Sequence, residues 1–376
     1  MIIYIRWLLL AAFVILVTIA SYLHIANGGG KSPSIHALCP YGGLESLFQV
    51  FTTGSFISKI FAGTMILFGI TVVLAIVFRR SFCGLICPFG AIQEFFAKIG
   101  QKIFKKKFII HPKIDKPLRY LKYLILVVTI VYAWKTVGLW MAPYDPWSAY
   151  SHLPEGLDSV WSESAIGLIL LGVTLIGSLL YDRFFCKYLC PMGALYGIIA
   201  KISPFRIKRN ANICINCGKC SKVCPMNINV KDLNEVKSAE CINCQTCVLN
   251  CPKKGALENK MVRKPLKPVI VILAVLIIFF GSIIVFQLSG DYKLLPEKVG
   301  EGQTVSLDQV KGYMTIKEAA QATGIGLEDF YKKYMIPDNV SKETMMKEIN
   351  KFAKDYSFDE IKQSIGNSTG DIETEK

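Results

Sequence analysis

Two runs of four cysteines follow each other in the middle of the chain, and both have the spacing C-x2-C-x2-C-x3-C-P. The first run begins at Cys214 and the second at Cys241. A tight C-x2-C-x2-C loop can direct three thiolates to one point, and in the bacterial two-cluster pattern the fourth ligand comes from the other run. The spacing therefore predicts two [4Fe–4S] clusters, one bound by Cys214, Cys217, Cys220 and Cys251 and the other by Cys241, Cys244, Cys247 and Cys224.

Zinc is the alternative metal for these cysteines. Zinc ribbons normally use pairs of C-x2-C, whereas both runs here are triplets followed by a Cys-Pro pair, at Cys224-Pro225 and Cys251-Pro252. The triplets favour iron–sulfur clusters over zinc. We expect residues 206–262 to form a small α+β domain of the bacterial ferredoxin type, and this domain to carry electrons.

Five long apolar stretches predict an integral membrane protein. A helix of about 20 apolar residues crosses a hydrocarbon core roughly 30 Å thick, and a helix pairs its backbone groups internally, as lipid requires. The predicted spans are Trp7–Ala26, Phe56–Phe78, Tyr120–Trp140, Ala165–Tyr181 and Pro268–Leu288. Outside the cluster-binding segment we therefore expect an all-α fold.

The distribution of basic residues predicts the orientation of the chain in the membrane. Residues 79–122 carry eleven Lys and Arg and residues 182–268 carry sixteen, whereas residues 141–164 carry none. The tail, residues 290–376, has twelve Lys against sixteen acidic residues. Because Lys and Arg are retained in the cytoplasm, we expect the amino terminus and the clusters on the cytoplasmic side of the cell membrane and the tail outside. Nucleic acid is not an expected partner.

The first four predicted spans form an internal repeat with an offset of 103 residues. Residues 80–99 and residues 183–202 share ten identities over twenty aligned positions, and Pro40-Tyr41 matches Pro143-Tyr144 at the same offset. Since each copy holds two spans, the copies should lie parallel, related by an axis along the membrane normal.

Each copy of the repeat also contains the motif C-x3-C-P, beginning at Cys83 and at Cys186. Positions i and i+4 of a helix project from one face, and the proline suits the first turn of a following helix. Such a site could hold a third iron–sulfur cluster or another metal, or relay electrons through dithiols. The alternative is that small buried cysteines only pack between helices. The four candidate residues are Cys83, Cys87, Cys186 and Cys190.

The chain divides into four predicted parts. These are the four-helix transmembrane repeat at residues 1–205, the cluster domain at residues 206–262, the fifth transmembrane helix at residues 263–289 and an extracytoplasmic helical tail at residues 290–376. Helical patterning in the tail covers Thr315–Thr323 and Leu327–Met335, with breaks at Gly324 and Pro337. Cys39, which has Ala142 as its counterpart in the repeat, is predicted to lie outside the membrane after the first span.

Two C-x3-C-P motifs at the inner ends of transmembrane helices, joined to a two-cluster segment, resemble the NapH/NosR-type membrane polyferredoxins. The resemblance covers residues from about 35 to 260. Members of that family are multi-pass membrane iron–sulfur proteins that pass electrons between the cytoplasm, the quinone pool and extracytoplasmic redox partners. The resemblance therefore implies a membrane electron carrier.

We expect this protein to be an electron-transfer subunit rather than a self-contained enzyme. A cytoplasmic donor, either a ferredoxin or a flavoprotein, would reduce the paired clusters, and electrons would continue toward quinone or an extracytoplasmic redox partner. Two further interpretations remain. One is an accessory or regulatory iron–sulfur protein that supports a redox complex. The other is a transporter, which the scarcity of charged residues within the predicted spans disfavours.

Overall fold

The computed structural model describes residues 2–26, 38–53, 62–136, 140–262, 264–293, 310, 314–346, 349 and 352–353. Helices dominate these residues, and short 3-10 turns link some of them. The α-helices up to the cysteine-rich segment are α1 (Ile2–Ala26), α2 (Pro40–Thr53), α3 (Ala62–Phe78), α4 (Ser81–Leu85), α5 (Pro88–Phe104), α6 (Pro112–Leu118), α7 (Leu121–Thr136), α8 (Pro146–His152), α9 (Leu157–Leu180), α10 (Phe184–Tyr188) and α11 (Pro191–Ile199).

The remaining elements begin with the cysteine-rich segment. Its two short helices are followed by one long apolar helix and by two helices near the carboxyl terminus. These are α12 (Lys219–Lys222), α13 (Thr246–Leu249), α14 (Pro268–Leu288), α15 (Ile316–Thr323) and α16 (Leu327–Lys333). Three strands form one antiparallel sheet in the order β1 (Phe205–Arg209), β2 (Leu257–Met261) and β3 (Lys264–Leu266).

Three helical segments in the described part of the chain are long and apolar enough to cross a membrane: Ile3–Ala26, Pro112–Lys135 and Pro268–Leu288. The other two predicted spans are shorter apolar helices, at Ala62–Phe78 and Ser164–Leu180. Residues 56–61 of the second predicted span lie outside the described residues. In α9 the backbone of Ser164 leaves the helical conformation, so the apolar half of that helix is separated from its first two turns. A membrane protein is confirmed at this level, and the count of five spans stays a prediction.

The chain divides into two compact units. The larger unit comprises Met1–Leu23 and Pro33–Leu294, and the smaller comprises His24–Ser32 and Leu295–Lys376. The larger unit thus contains both the apolar helices and the cysteine-rich segment. Phe205 and Ile207 of β1 are buried in the same hydrophobic core as Leu67 and Leu74 of α3, which ties the sheet to the apolar helices.

Helices in the two halves of the predicted repeat pack across each other within the larger unit. The amphipathic helix α5 lies against α9, and α11 lies against α3. At the first crossing, a Cβ added at Gly100 would clash with the backbone of Leu179. At the second, the Ser203 hydroxyl donates to the Val77 carbonyl at 3.0 Å. Gly100 and Ser203 are related by the offset of 103 residues, and their partners Leu179 and Val77 lie one position off that offset.

The cysteine-rich segment is built on the antiparallel sheet. Phe205 pairs with Met261 and Arg209 with Leu257, so the two ends of the segment are held side by side. The short helices α12 and α13 each contain the third cysteine of a run, Cys220 and Cys247, and both of these cysteines are buried. Strands and short helices in this segment agree with the α+β architecture expected from the spacing.

The smaller unit has its own hydrophobic core, which includes Ile316, Phe330 and Tyr334. Thr315 caps α15 and forms a reciprocal capping box with Glu318. Gly324 ends that helix with a φ of 68°, a left-handed conformation that glycine adopts without steric cost. The two helices lie where the sequence pattern places them, although α16 ends at Lys333, two residues before the expected end.

Candidate functional site

The first cysteine cavity is lined by the thiols of Cys214, Cys217, Cys220 and Cys251. These are the four residues that the spacing assigns to one cluster. Cys217 is exposed, Cys214 and Cys251 are partly exposed, and Cys220 is buried. The lining also includes three basic residues, Arg209, Lys231 and Lys253. The cavity therefore opens toward solvent in a positively charged surrounding.

The second cysteine cavity is lined by Cys224, Cys241, Cys244 and Cys247, again the four residues that the spacing groups together. All four of these cysteines are buried. Its other lining residues are apolar or uncharged: Ile207, Pro225, Met226, Ile228, Val230, Val236, Ile242, Asn243 and Gln245. This cavity thus has four buried thiols and lacks the basic rim of the first.

The two C-x2-C-x2-C loops have the same backbone conformation. Asn216 and Asn243 occupy equivalent positions and have φ values of 53° and 50°. Two residues further on, Gly218 and Gln245 have φ values of 71° and 62°. Asparagine and glycine tolerate this left-handed region, and the alternation turns each loop tightly enough for its cysteines to face one cavity.

The second cysteine cavity lies directly against the first C-x3-C-P motif. A Cβ on Gly84 would clash with the Ile242 carbonyl and would lie 3.1 Å from Cα of Cys244. The Asn243 amide donates to the Phe78 carbonyl at 2.8 Å. Only glycine at position 84 allows this approach. The cluster loop and the turn between Cys83 and Cys87 are therefore in backbone contact.

Arg79 and Arg80 hold the connection between the two cysteine runs against the apolar helices. Arg79 donates to the carbonyls of Val236 and Ser238, at 3.0 Å and 2.5 Å. Arg80 pairs with Glu240 at 3.4 Å, and Lys122 pairs with the same carboxylate at 2.5 Å. Burial alone would raise the pKa of Glu240, but Arg80 and Lys122 hold it below its usual range.

The two C-x3-C-P motifs come together and form the four-thiol site, which comprises Cys83, Cys87, Cys186 and Cys190. Cys190 lies within electrostatic range of the other three thiols. Cys83 and Cys186 are 8% and 7% exposed. Cys87 and Cys190 are partly exposed, so the four-thiol site has two buried and two half-buried thiols where the two motifs meet.

One expectation for these motifs is wrong in detail. The two cysteines of each motif do not share one helix: Cys83 lies in α4, whereas Cys87 is the N-cap of α5. The second motif is divided in the same way between α10 and α11. The cause is the proline that follows, because its ring disfavours the helical conformation for the residue before it. Cys87 accordingly has ψ 114° and Cys190 has ψ 111°.

Two buried arginines flank the four-thiol site in reciprocal positions. Arg183 packs on Gly90 and Arg80 packs on Gly193; in both cases an added Cβ would lie 2.7 Å from a guanidinium nitrogen. Both pairs are related by the offset of 103 residues. Arg80 is within electrostatic range of Cys83, Cys186 and Cys190, and Arg183 of Cys87 and Cys186. One half of the chain thus supplies a positive charge next to the motif of the other.

Several nitrogens of these arginines have no protein partner. Arg80 and Arg183 are 1% and 0% exposed, yet Nη2 of each lacks a hydrogen-bond acceptor among the described residues. A buried donor without an acceptor is costly. An anionic group held by the four thiols would give these donors an acceptor.

Two side chains of α5 complete the surroundings of the four-thiol site. The Gln93 amide donates to Sγ of Cys186 at 3.3 Å, and its oxygen accepts from the Phe185 nitrogen at 3.0 Å. Glu94 binds Arg6 and Arg183, each at 2.7 Å. Burial would raise the pKa of Glu94, but the two guanidinium groups hold it at about 2.

Sequence reasoning missed these supporting residues. Arg80 and Arg183 align in the repeat, and this is the one signal that could have identified them. No pattern marks Gln93 or Glu94, since their counterparts are Tyr196 and Gly197. Across the part of the chain that the structure describes, no three Cys, His, Asp or Glu side chains converge closely enough to hold a single metal ion.

Two known domain families match the chain. The 4Fe-4S binding domain matches twice, at residues 60–107 and at residues 164–210. The 4Fe-4S dicluster domain matches residues 206–252. The first family thus covers each C-x3-C-P motif separately, and the second covers both cysteine runs.

Curated proteins with similar sequences include electron-transport proteins. The chain is 36% identical over 250 residues to the putative electron transport protein YccM of Escherichia coli (strain K12), covering 66% of this chain and 68% of YccM. It is 31% identical over 172 residues to the regulatory protein NosR of Pseudomonas aeruginosa, covering 45% of this chain and 23% of NosR. The ferredoxin-type protein NapH of E. coli (strain K12) is 27% identical over 190 residues, covering 48% of this chain and 62% of NapH. No solved structure matches the chain.

Proposed function

This chain belongs to the NapH/NosR-type polyferredoxin-like iron–sulfur proteins, and on that basis we propose that it carries electrons from a cytoplasmic donor toward quinone or an extracytoplasmic redox partner. It would act as the electron-transfer subunit of a redox system in the cell membrane. Two [4Fe–4S] clusters would occupy the two cysteine cavities. The four-thiol site would be the next redox centre.

The order of the three thiol groups carries this proposal. The first cysteine cavity includes an exposed thiol, Cys217, and can exchange electrons with a soluble protein. The second is buried and in backbone contact with the turn of the four-thiol site through Gly84. Cys247 lies within electrostatic range of Cys220, which lines the first cavity. The three sites thus form a series from solvent to the centre of the larger unit.

The ligand sets suit clusters better than single metal ions. A tetrahedral zinc site holds thiolates about 3.8 Å apart, because each Zn–S bond is about 2.3 Å. A cubane cluster takes one thiolate on each iron, so its four ligands are spaced more widely. Each cysteine cavity has four thiols on its wall, the number of ligands that a cubane cluster takes.

The arginines next to the four-thiol site favour an anionic cofactor there. A cluster held by four thiolates is negatively charged, and burying it requires compensating charge. Arg80 and Arg183 supply two buried cations, and the free Nη2 group of each could donate to a cluster sulfur. We therefore propose that the four-thiol site holds a third iron–sulfur cluster, rather than cysteines that only pack between helices.

The arrangement in the membrane is part of the proposal. Five spans, the first four of them a repeat, would place the basic segments and all three redox sites at the cytoplasmic face. The reciprocal contacts of Arg80 with Gly193 and of Arg183 with Gly90 support the repeat. Because the clusters would lie on one side of roughly 30 Å of hydrocarbon, a quinone or a partner subunit would complete the path to an extracytoplasmic acceptor.

The experiment is a redox titration monitored by electron paramagnetic resonance (EPR) on membranes that contain the full chain. Three variants are compared with wild type: Cys217→Ser for the first cavity, Cys244→Ser for the second and Cys186→Ser for the four-thiol site. We expect each variant to lose or alter one signal and to keep the others, so each serves as the control for the other two. Wild-type membranes without any cluster signal would contradict the proposal.

A regulatory role is the second candidate, because a relative of this chain is named a regulatory protein. Under that interpretation the clusters sense redox state and act on a partner without carrying its electrons. Reduction of the clusters by a soluble donor, followed by their reoxidation when a quinone is added, would favour electron transfer. A partner enzyme that keeps full activity when cluster turnover is blocked would favour regulation.

A further inference from the structure

A small cavity lies beside the four-thiol site, between the amino-terminal part of α2 and the segment that leads into α8. Its volume is about 10 Å³, which is enough for one water molecule. Its lining residues are Cys39, Tyr41, Gly42, Glu45, Ala142, Asp145 and Trp147. We call it the carboxyl cavity.

The thiol and carboxyl groups of the carboxyl cavity differ between the two halves of the chain, whereas Tyr41 has Tyr144 as its counterpart. In the repeat alignment, with its offset of 103 residues, Cys39 corresponds to Ala142 and Gly42 corresponds to Asp145. The counterpart of Glu45 is Ser148. Each thiol or carboxyl group therefore occurs in one half only. A repeat maintained for packing alone would not require these differences.

The two carboxylates of this cavity differ in exposure: Glu45 is buried, whereas Asp145 is half-buried. Glu45 is 4% exposed and accepts a hydrogen bond from the Met141 nitrogen at 3.1 Å. Asp145 accepts from the Trp147 nitrogen at 3.0 Å. No Lys, Arg or His lines the cavity. Burial raises the pKa of Glu45 to about 8 and that of Asp145 to about 6, so both groups titrate near neutral pH.

A tyrosine hydroxyl in the cavity lacks a partner. Tyr41 is 8% exposed, and its Oη has no hydrogen-bond partner among the residues that the structure describes. Thr129 lies near it, but its hydroxyl, which donates to the Ile125 carbonyl at 2.9 Å, forms no hydrogen bond with Oη of Tyr41. Such a buried donor requires an acceptor. A water molecule between Tyr41 and the two carboxyl groups would satisfy it and could carry a proton.

The cavity adjoins the four-thiol site. Cys39 lies within electrostatic range of Cys87, and both pack against the core that contains Phe89 and Trp147. The ring centroids of Phe89 and Trp147 are 5.5 Å apart. An electron added at the four-thiol site would therefore act on the carboxyl groups through a protein interior with little screening.

We propose that Glu45, Asp145 and Tyr41 form a redox-linked proton site, which takes up one proton when the four-thiol site gains one electron. The proposal rests on the proposed function, since it requires the four-thiol site to be a redox centre. The electron comes from the neighbouring cluster, and the proton comes from water and binds to a carboxylate oxygen. Oxidation releases the electron to the acceptor and the proton to water, and no bond within the chain is made or broken. Coupling of this kind suits an acceptor that takes up both electrons and protons.

The test measures the midpoint potential of the four-thiol site at several pH values by EPR, in membranes that contain the full chain. If one proton accompanies each electron, the wild-type potential should fall with pH by 59 mV per unit, the value for a tenfold change at one electron. In the double variant Glu45→Gln, Asp145→Asn, we expect the potential to be independent of pH. Both amides keep the acceptor oxygens for Met141 and Trp147, and Asn remains a good N-cap.

The control is Asp158→Asn, which removes an exposed carboxyl group at the start of α9 and should keep the wild-type slope. A wild-type potential that does not change with pH overturns the proton site, and so does a double variant that keeps the slope. Neither result affects the proposed electron path. The absence of any signal from the four-thiol site would instead contradict that step of the proposed function. Because the wild-type slope alone can overturn the proton site, the test does not depend on the variant folding.

Discussion

At the scale of single residues, the account depends on charges that are buried beside thiols. Arg80 and Arg183 are both fully buried and lie within electrostatic range of the four-thiol site. A positive charge stabilises the reduced form of a centre more than its oxidised form, because the reduced form is more negative. The two arginines should therefore raise the reduction potential of this site.

Replacing Arg183 by Gln should lower the midpoint potential of the four-thiol site. The loss of one buried charge at an effective dielectric constant of about 20 corresponds to about 1–2 kcal/mol, or on the order of 50–100 mV for one electron. EPR-monitored titration measures this change. Lys201→Gln removes an exposed charge and should leave the potential near its wild-type value; equal shifts in both variants would contradict a local effect.

The local C-x2-C-x2-C geometry accounts for three of the thiols on the wall of each cysteine cavity, whereas the fourth comes from the other run, as in the bacterial two-cluster pattern. That these thiols bind iron remains a prediction. The contacts of Arg80 with Gly193 and of Arg183 with Gly90 could not be predicted, since they join residues that are about 100 positions apart and depend on how the two halves pack. The carboxyl cavity could not be predicted either, because its lining residues come from two segments about 100 positions apart.

At the scale of elements, prolines determine where the helices near the site begin. Pro88 and Pro191 occupy the first turns of α5 and α11, as the sequence analysis expected. The same prolines separate the two cysteines of each motif into different helices, which the i and i+4 argument did not foresee. Local conformational preference of the residue before proline overrides the helical periodicity there.

Gly84 joins two elements that must stay in contact for electron transfer. Gly84→Ala would place a Cβ against the Ile242 carbonyl, and backbone cannot move aside as a flexible side chain can. We expect a loss of about 1–3 kcal/mol, as for other overpacked sites, and slower electron transfer from the second cluster to the four-thiol site. Thermal unfolding and rapid-freeze EPR measure the two effects.

Gly69→Ala is the matched control, because a Cβ at Gly69 in α3 would meet nothing within 4 Å. Alanine is favoured over glycine in a helix by roughly 0.5–1 kcal/mol, so this variant should be as stable as wild type or slightly more stable. If Gly84→Ala behaves like Gly69→Ala in both measurements, the close contact between the cluster loop and the turn contributes neither to stability nor to electron transfer.

At the scale of the whole molecule, basic residues have two roles: they indicate the predicted orientation in the membrane, and they form tertiary contacts. By loop composition, Arg79 and Arg80 mark the cytoplasmic side of the membrane. In the structure, their guanidinium groups bind residues 236–240. This use depends on tertiary contacts and cannot be read from loop composition. The shared core of β1 and α3 is a further consequence of such contacts. The separate domain at residues 206–262 stays a prediction.

The basic residues around the first cysteine cavity predict a salt-dependent reaction with the donor. Lys231 and Lys253 line this cavity and are exposed, so an acidic electron-donor protein should be steered to it. Lys231→Glu combined with Lys253→Glu should lower the second-order rate of cluster reduction by an acidic ferredoxin by roughly tenfold at low salt. Stopped-flow absorbance measures this rate.

The control for the donor experiment is Lys237→Glu, an exposed lysine of the same segment that does not line the cavity. It should leave the rate nearly unchanged. Reduction by dithionite, which needs no protein docking, should be equally fast in all variants. Rates that do not differ between the double variant and Lys237→Glu would mean that the donor docks elsewhere.

The most direct test of the central claim is the amount of iron and acid-labile sulfide in the full chain after anaerobic purification. The account predicts about twelve of each per chain, and about eight of each when all four cysteines of the four-thiol site are replaced by serine. Wild-type protein with about eight of each would contradict a third cluster. Colourless, iron-free protein, or protein that contains only zinc, would contradict the account as a whole.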